Sequence, residues 1–281
     1  MTQRRRQRGN GTGASGAARG LAGALVLMAA GLAGCGEERE EPPPLRPLVV
    51  KEQVSRVVKV AGKYRVSWAA VLANSNRWHF GENVVMTIEV TDAAGKRLKR
   101  TEHPLNAVPP AGTLPVTGHE MVDEKPAKVS IAYSQARWKQ ASRITSAFQP
   151  FPVSEVRTRR QRNGSYLVSG RVGSPYRQTA SSLVVTALLR NAKGELVDGV
   201  STFVGEVGPK DNPRFLLVLD KAPPKVARAD VTVQTWGSTA RPYEELAMGG
   251  TVSLHTAKPK TPPFAEDRGV QRIPGLETAR E

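Results

Sequence analysis

From residue 48 onward, short apolar runs rich in β-branched residues alternate with turn residues, and no long pattern of 3.6-residue period appears. In the clearest run, at 84–90, every second position is apolar, so these positions are expected to face a core. They are Val84, Met86, Ile88 and Val90. The same alternation recurs at Phe215, Leu217 and Leu219. The pattern predicts an all-β fold.

An internal repeat with a spacing of roughly 100 residues divides this region into two copies. The sequence Val-Ser-Arg-Val at 54–57 recurs as Val-Ser-Glu-Val at 153–156. Tyr-Arg-Val-Ser at 64–67 recurs as Tyr-Leu-Val-Ser at 166–169. The repeat predicts two similar β-domains in tandem.

We place the first domain at residues 48–147 and the second at 148–256. Each copy has about seven short runs with frequent turns, which is typical of a sandwich of two sheets. The strand, Asx/Gly turn and strand segments resemble the bacterial FxLYD family of immunoglobulin-like domains, most closely at 166–172 and 184–197. Leu-Leu-Arg at 188–190 stands where that family has Leu-Tyr-Asp. The resemblance implies an immunoglobulin-like fold and no defined activity.

The N-terminus has the order of a secretory signal peptide, which we assign to residues 1–34. Five arginines precede an apolar stretch at about 20–32, and no acidic residue occurs before Glu37. The stretch is shorter than the roughly 20 apolar residues that a transmembrane helix needs. We therefore expect export without a retained membrane span, with the general secretion route favoured over twin-arginine export.

Leu32, Ala33, Gly34 and Cys35 resemble the lipobox of bacterial lipoproteins. The resemblance implies that Cys35 receives a diacylglyceryl group and becomes the mature N-terminus, anchoring the protein on the extracytoplasmic side of a membrane. A free cysteine behind an ordinary secretory signal is the alternative. Both the cytoplasmic membrane and an outer membrane stay open as destinations.

Two segments lack the composition of a folded core. Residues 35–47 are charged and proline-rich and are expected to form an extended, lipidated tether. Residues 257–281 carry prolines among charges and are expected to be a disordered tail. Residues 248–256 are expected to add an edge strand to the second domain.

The net charge indicates which partners are favoured, and the single cysteine indicates how the domains are stabilised. The formal charge of +16 falls to +11 when the five arginines of residues 1–34 are removed. This excess favours anionic lipid headgroups or wall polymers as partners by long-range attraction. We expect no nucleic acid as a partner, because the chain is exported. With one cysteine, the domains hold together by apolar burial and no disulfide.

The sequence shows no recognisable catalytic motif. The four histidines are not at ligand spacing, and the patterns of hydrolases, phosphate loops and calcium loops are absent. We expect neither metal nor cofactor, and a non-catalytic binding or scaffolding module. The alternatives are an envelope enzyme with an unrecognised site or its accessory subunit, and a small-molecule carrier.

Basic clusters and a tryptophan are the candidate contacts with partners. One cluster comprises Arg157, Arg159, Arg160 and Arg162, and another comprises Lys96, Arg97, Lys99 and Arg100. Such residues usually form a solvated face or guard an edge strand. The functional interpretation is contact with an anionic envelope polymer or lipid. Trp78 is the candidate partner contact, whereas Trp138 and Trp236 are expected to be packing residues.

Overall fold

The computed structural model describes residues 44–251. The signal peptide, lipobox, Cys35, tether residues 35–43 and tail 257–281 lie outside the described residues. Between residues 44 and 251 the chain forms fourteen β-strands, one 3₁₀ turn and one α-helix. The expectation of an all-β fold is confirmed.

The first sandwich contains eight strands. They are β1 (Val49–Val60), β2 (Lys63–Ala73), β3 (His79–Glu82), β4 (Val85–Thr91), β5 (Arg97–Pro104), β6 (Thr113–Val122), β7 (Lys128–Tyr133) and β8 (Arg137–Gln140). Two three-stranded antiparallel sheets, β1-β2-β6 and β5-β4-β7, enclose the core, and β3 pairs with β8. The 3₁₀ turn at Thr145–Ala147 leads to the second sandwich.

The second sandwich repeats this topology with six strands. They are β9 (Val153–Arg160), β10 (Tyr166–Val172), β11 (Leu183–Arg190), β12 (Leu196–Val204), β13 (Arg214–Leu219) and β14 (Arg228–Thr235). Its sheets are β9-β10-β13 and β12-β11-β14, which correspond strand by strand to β1-β2-β6 and β5-β4-β7. The internal repeat is therefore a repeat of topology, to which the first copy adds the β3-β8 pair.

The two cores lie on the sides of the strands that the alternation of apolar and polar residues predicts. The even positions from Val84 to Val90 are all buried, and the intervening positions are partly exposed. On β13, Phe215, Leu217 and Leu219 are buried, while Leu216 and Val218 point to solvent. The apolar run at 215–219 therefore has one core face and one exposed face, because successive side chains of a strand point to opposite sides.

The two sandwiches pack face to face, sheet β1-β2-β6 against sheet β12-β11-β14. Ala69 and Val71 of β2 are buried against Leu188 of β11. Gly199 of β12 lies so close that a Cβ there would overlap the Thr117 side chain and approach Ala69 Cβ to 3.1 Å. The body is thus a stack of four sheets, held by an apolar contact that depends on small residues.

Charged groups border this contact. Arg190 donates to both carboxylate oxygens of Glu52, at 2.6 and 3.0 Å, and also to Asp230. Its hydrogen bonds with Glu52 and Asp230 hold the pKa of the guanidinium above its ordinary value. Arg56 and the Ser67 hydroxyl both contact the buried carboxylate of Asp198, at 3.4 and 3.3 Å. Arg190 and Asp198 are therefore interface residues.

The segment after β14 crosses back to the first sandwich. The Ala107 amide donates to the Gly237 carbonyl at 2.8 Å, and the Ala240 amide donates to Glu82 at 2.7 Å. Tyr243 then packs against Phe80 of β3. The second copy therefore supplies part of the core that covers β3 of the first.

The expectation of an edge strand at 248–256 is wrong for residues 248–250, the first part of that range. The helix α1 (Arg241–Met248) ends where that strand was to begin, and only Thr251 forms a bridge, with Tyr176. Adjacent Glu244 and Glu245 lie on this helix and not on a strand. Glu244 pairs with Lys139 at 2.8 Å, and Glu245 pairs with Arg241 at 2.6 Å. Pro242 in the first turn and the helix formers after it favour this local structure.

Gly199→Ala is expected to loosen the contact between the sandwiches. The added methyl would force β12 away from β2 and β6, and overpacking of this kind costs about 1–3 kcal/mol. Gly205→Ala is the matched control, because a Cβ there meets nothing within 4 Å. Urea unfolding would measure the free energy of unfolding of each variant. Equal values for the two variants would contradict the close packing at Gly199.

The Glu52 pair is expected to make stability depend on pH. The hydrogen bond from Arg190 lowers the pKa of Glu52 below its ordinary value of 4.5. Its stabilisation is therefore present above pH 4.5 and is lost as the pH falls through the lowered pKa. Wild type should be more stable than Glu52→Gln at pH 7, and the difference should shrink in acid.

Thermal unfolding between pH 7 and pH 3 measures this difference. Glu206→Gln, an exposed change outside any ion pair within residues 44–251, is the control. A constant difference between wild type and Glu52→Gln across this range would contradict the prediction.

Candidate binding surfaces

The outer face of sheet β9-β10-β13 combines arginines with exposed aliphatic side chains. In the strand register, Arg159 and Val218 flank Leu167, while Arg157 and Leu216 flank the next outward position of β10. Leu216 and Val218 are 57% and 45% exposed. We call these five residues the arginine–aliphatic face. Arginines beside apolar side chains can hold an anionic group and bury its neighbouring carbon atoms.

The four arginines of the predicted cluster do not act together. Arg157 and Arg159 belong to the arginine–aliphatic face, whereas Arg160 lies on the opposite side of β9. Arg160 donates to the carbonyls of Ala222 and Pro223, and its guanidinium lies 5.6 Å from the ring of Tyr166. Arg162 is exposed in the turn between β9 and β10. Arg160 thus holds the fold, and the other three are available to a partner.

The second basic cluster is paired with carboxylates. Lys96 contacts Glu124 at 2.9 Å, and Arg100 contacts Glu102 at 3.1 Å. Arg97 and Lys99 also have acidic neighbours. In contrast, Arg157, Arg159 and Arg162 make no ion pair within the described range of the chain. Of the two basic clusters, only the one on the second sandwich therefore has arginines without a carboxylate partner among residues 44–251.

The turn between β9 and β10 lies nearer to the second half of β1 than to its start. Arg56, the eighth residue of β1, donates to the Lys221 carbonyl at 2.6 Å, and the Lys221 ammonium lies 3.5 Å from the Asn163 carbonyl in that turn. Val49, at which the strand begins, precedes Arg56 by about 23 Å along the strand. The turn that carries Arg162 is therefore remote from the residue at which the chain enters β1.

A second surface is a cleft between the sandwiches. Its volume is about 210 Å³, and β5 and β6 form one wall while β11, β12 and Trp236 form the other. Phe203 and Trp236 meet edge to face with centroids 5.1 Å apart, and are 62% and 48% exposed. The expectation that Trp236 is a packing residue is therefore wrong. Trp138 is half-buried and lines a groove with Leu45 and Leu48.

Trp78 lies in the turn before β3 and is 51% exposed. Its backbone carbonyl accepts the Ala141 amide at 2.8 Å, which fixes the turn to the residue that follows β8, while the indole is exposed to solvent. The geometry leaves this side chain accessible, and its role as a partner contact stays a prediction.

The described residues offer little ionisable chemistry. No group of three His, Cys, Asp or Glu side chains within 44–251 is placed to hold a metal ion. Burial raises the pKa of Tyr243 to about 12, and Tyr133 is likewise raised to about 12. Both hydroxyls therefore stay protonated at neutral pH. Over the same range, no helix has the length and apolar character to cross a bilayer.

No protein-family model matches the sequence, and no curated protein matches it at a significant level. Among solved structures, the chain is similar to the exo-chitosanase CsxA of Amycolatopsis orientalis, with 11% identity and a TM-score of 0.22 over 64% of this chain and 25% of that chain. The chain thus spans about a quarter of that chitosanase. It is also similar to the N-terminal CBM22-1-CBM22-2 tandem domain of Paenibacillus barcinonensis Xyn10C, with 10% identity and a TM-score of 0.14 over 71% and 88% of the two chains. Likenesses this weak carry no argument about this protein.

Proposed function

We propose that this protein is a lipid-anchored, non-catalytic binding or scaffolding module that displays two immunoglobulin-like sandwiches on the extracytoplasmic side of a membrane. Its partner is a surface rich in phosphate groups, contacted through the arginine–aliphatic face. The observation that carries the proposal is this face, on which unpaired arginines flank aliphatic side chains that are about half exposed.

The lipobox at residues 32–35 supports the anchor. Two acyl chains on Cys35 would hold the protein stably, because each buried methylene contributes about 0.8 kcal/mol. Residues 35–47, the proposed tether, would join this anchor to the first sandwich, whose strand β1 begins at Val49.

The packing of the sandwiches supports a role in holding partners at a fixed geometry. A hinge between tandem domains would let their surfaces move independently, and domain motion is the default when an interface is small. Here Ala69 and Val71 of β2 are buried against Leu188 of β11, and the Arg190 and Asp198 contacts border this apolar centre. The outer face of the second sandwich is therefore fixed relative to the N-terminal end of β1.

Cys35→Ala is expected to release the protein from the membrane. Without a thiol, no diacylglyceryl group can be attached, and the described residues contain no spanning helix to replace it. Fractionation of producing cells, followed by mass measurement of the mature N-terminus, tests this. Retention of the Cys35→Ala protein in the membrane fraction would contradict the lipid anchor.

Arg157→Gln with Arg159→Gln is expected to weaken binding to phosphate-rich surfaces by about thirtyfold, since each arginine near an anionic surface contributes about 1 kcal/mol and each step of about 1.4 kcal/mol is a factor of ten. Co-sedimentation of the Cys35→Ala protein with phosphatidylglycerol vesicles, and binding to a soluble teichoic acid, distinguish lipid from polymer as the source of phosphate. Binding should also fall with added salt.

Arg97→Gln with Arg100→Gln is the matched control, because it removes the same charge from arginines that have acidic neighbours. Equal losses in the two double variants would show a general charge effect and would contradict a site on the arginine–aliphatic face.

A further inference from the structure

The cleft between the sandwiches has the composition of a ligand site. Phe203 lies on β12 and Trp236 directly follows β14, and these two strands flank β11, so the two rings meet on one face of the sheet. The opposite wall comes from the free edge of the first sandwich, where β5 and β6 lie next to each other. Its volume of about 210 Å³ is below the usual 300–1,000 Å³ of drug-sized pockets, and so it suits a single ring.

Unpartnered polar atoms are concentrated in this cleft. Six buried side-chain nitrogen or oxygen atoms lack a hydrogen-bond partner within residues 44–251, and three of them belong to its lining. They are Trp68 Nε1, His103 Nε2 and Thr117 Oγ1. A buried polar group without a partner costs about 1–3 kcal/mol, so such groups usually have a role.

Gly118 explains how a core tryptophan reaches the cleft. A Cβ at Gly118 would lie 2.5 Å from Trp68 Cζ2 and 3.1 Å from Nε1, so only glycine lets the indole extend across β6. The ring then lies 5.4 Å from the imidazole of His103 at the gap between β5 and β6. Trp68 is almost fully buried, and its side chain forms part of the cleft wall.

The charges near the cleft are balanced. The Glu120 carboxylate lies 3.8 Å from both the Lys99 ammonium and His103 Nε2. No carboxylate is among the lining residues, and the cleft is therefore suited to a neutral molecule.

We infer that this cleft binds one pyranose ring of a neutral glycan. A sugar ring has a face of C–H groups that can stack on the negative face of an indole, and a rim of hydroxyls that both donate and accept hydrogen bonds. Trp236 and Phe203 offer the stacking surface, and Trp68 Nε1 and Thr117 Oγ1 offer polar partners. A lipid chain would fill the volume and leave those two polar atoms unpartnered. The inference goes beyond the proposed function and involves none of the residues of the arginine–aliphatic face.

The test is titration of the purified full-length protein with cellohexaose, chitohexaose, maltohexaose and mannohexaose. Isothermal calorimetry measures affinity, and tryptophan fluorescence reports burial of Trp236. At least one glycan should bind with a dissociation constant of about 1 mM or below, with a blue shift of the emission. Trp236→Ala should weaken that binding at least tenfold.

Two further variants make the test specific. Thr117→Val keeps the shape of the side chain and removes Oγ1, and it should weaken binding several-fold without changing the melting temperature by much. Ile144→Ala removes an exposed apolar side chain on another surface and should leave affinity unchanged. Absence of binding by wild type to all four glycans would overturn the inference, as would equal affinities of wild type and Trp236→Ala. Neither result would affect the vesicle and polymer measurements, which test the other face.

Discussion

The packing of sheet β1-β2-β6 against sheet β12-β11-β14 is the contact on which the rest of the structure depends. It is possible because Ala69 and Gly199 present almost no side chain where the sheets come closest. Arg190 and Asp198 fix the relative positions of the sheets, since each binds groups from the other sandwich. The cleft, the position of Trp236 and the exposed arginine–aliphatic face all follow from this alignment.

Much of the fold can be predicted from the sequence, because alternation along a strand reports directly on burial. The run from Val84 to Val90 and the run from Phe215 to Leu219 show which side faces each core. The repeat predicts the correspondence of strands between copies, since each copy must bury equivalent positions. These signals are local or periodic, and they do not depend on which sheets meet.

The interface between the sandwiches could not be predicted in the same way. Arg190 and Asp198 have the polarity of exposed strand positions, and only the meeting of two sheets buries them. The helix α1 could not be predicted from the sequence, because eight residues give barely two turns of helical periodicity. Trp236 follows β14 as Trp138 follows the equivalent strand β7, but the segment after Trp236 turns toward the first sandwich and leaves its ring at the cleft.

The contact joins two sheets that are not equivalent in the two copies. Sheet β1-β2-β6 of the first copy meets sheet β12-β11-β14 of the second, which corresponds to β5-β4-β7. Such head-to-tail joining has no twofold symmetry and does not close on itself. The stack therefore ends in two different surfaces, the outer face of β5-β4-β7 and that of β9-β10-β13. The latter is the counterpart of the surface by which the first copy is already bound. Within residues 44–251, the sheet of the second copy that corresponds to the docking sheet of the first is not covered by another sandwich, and its outer face can therefore bind a different partner.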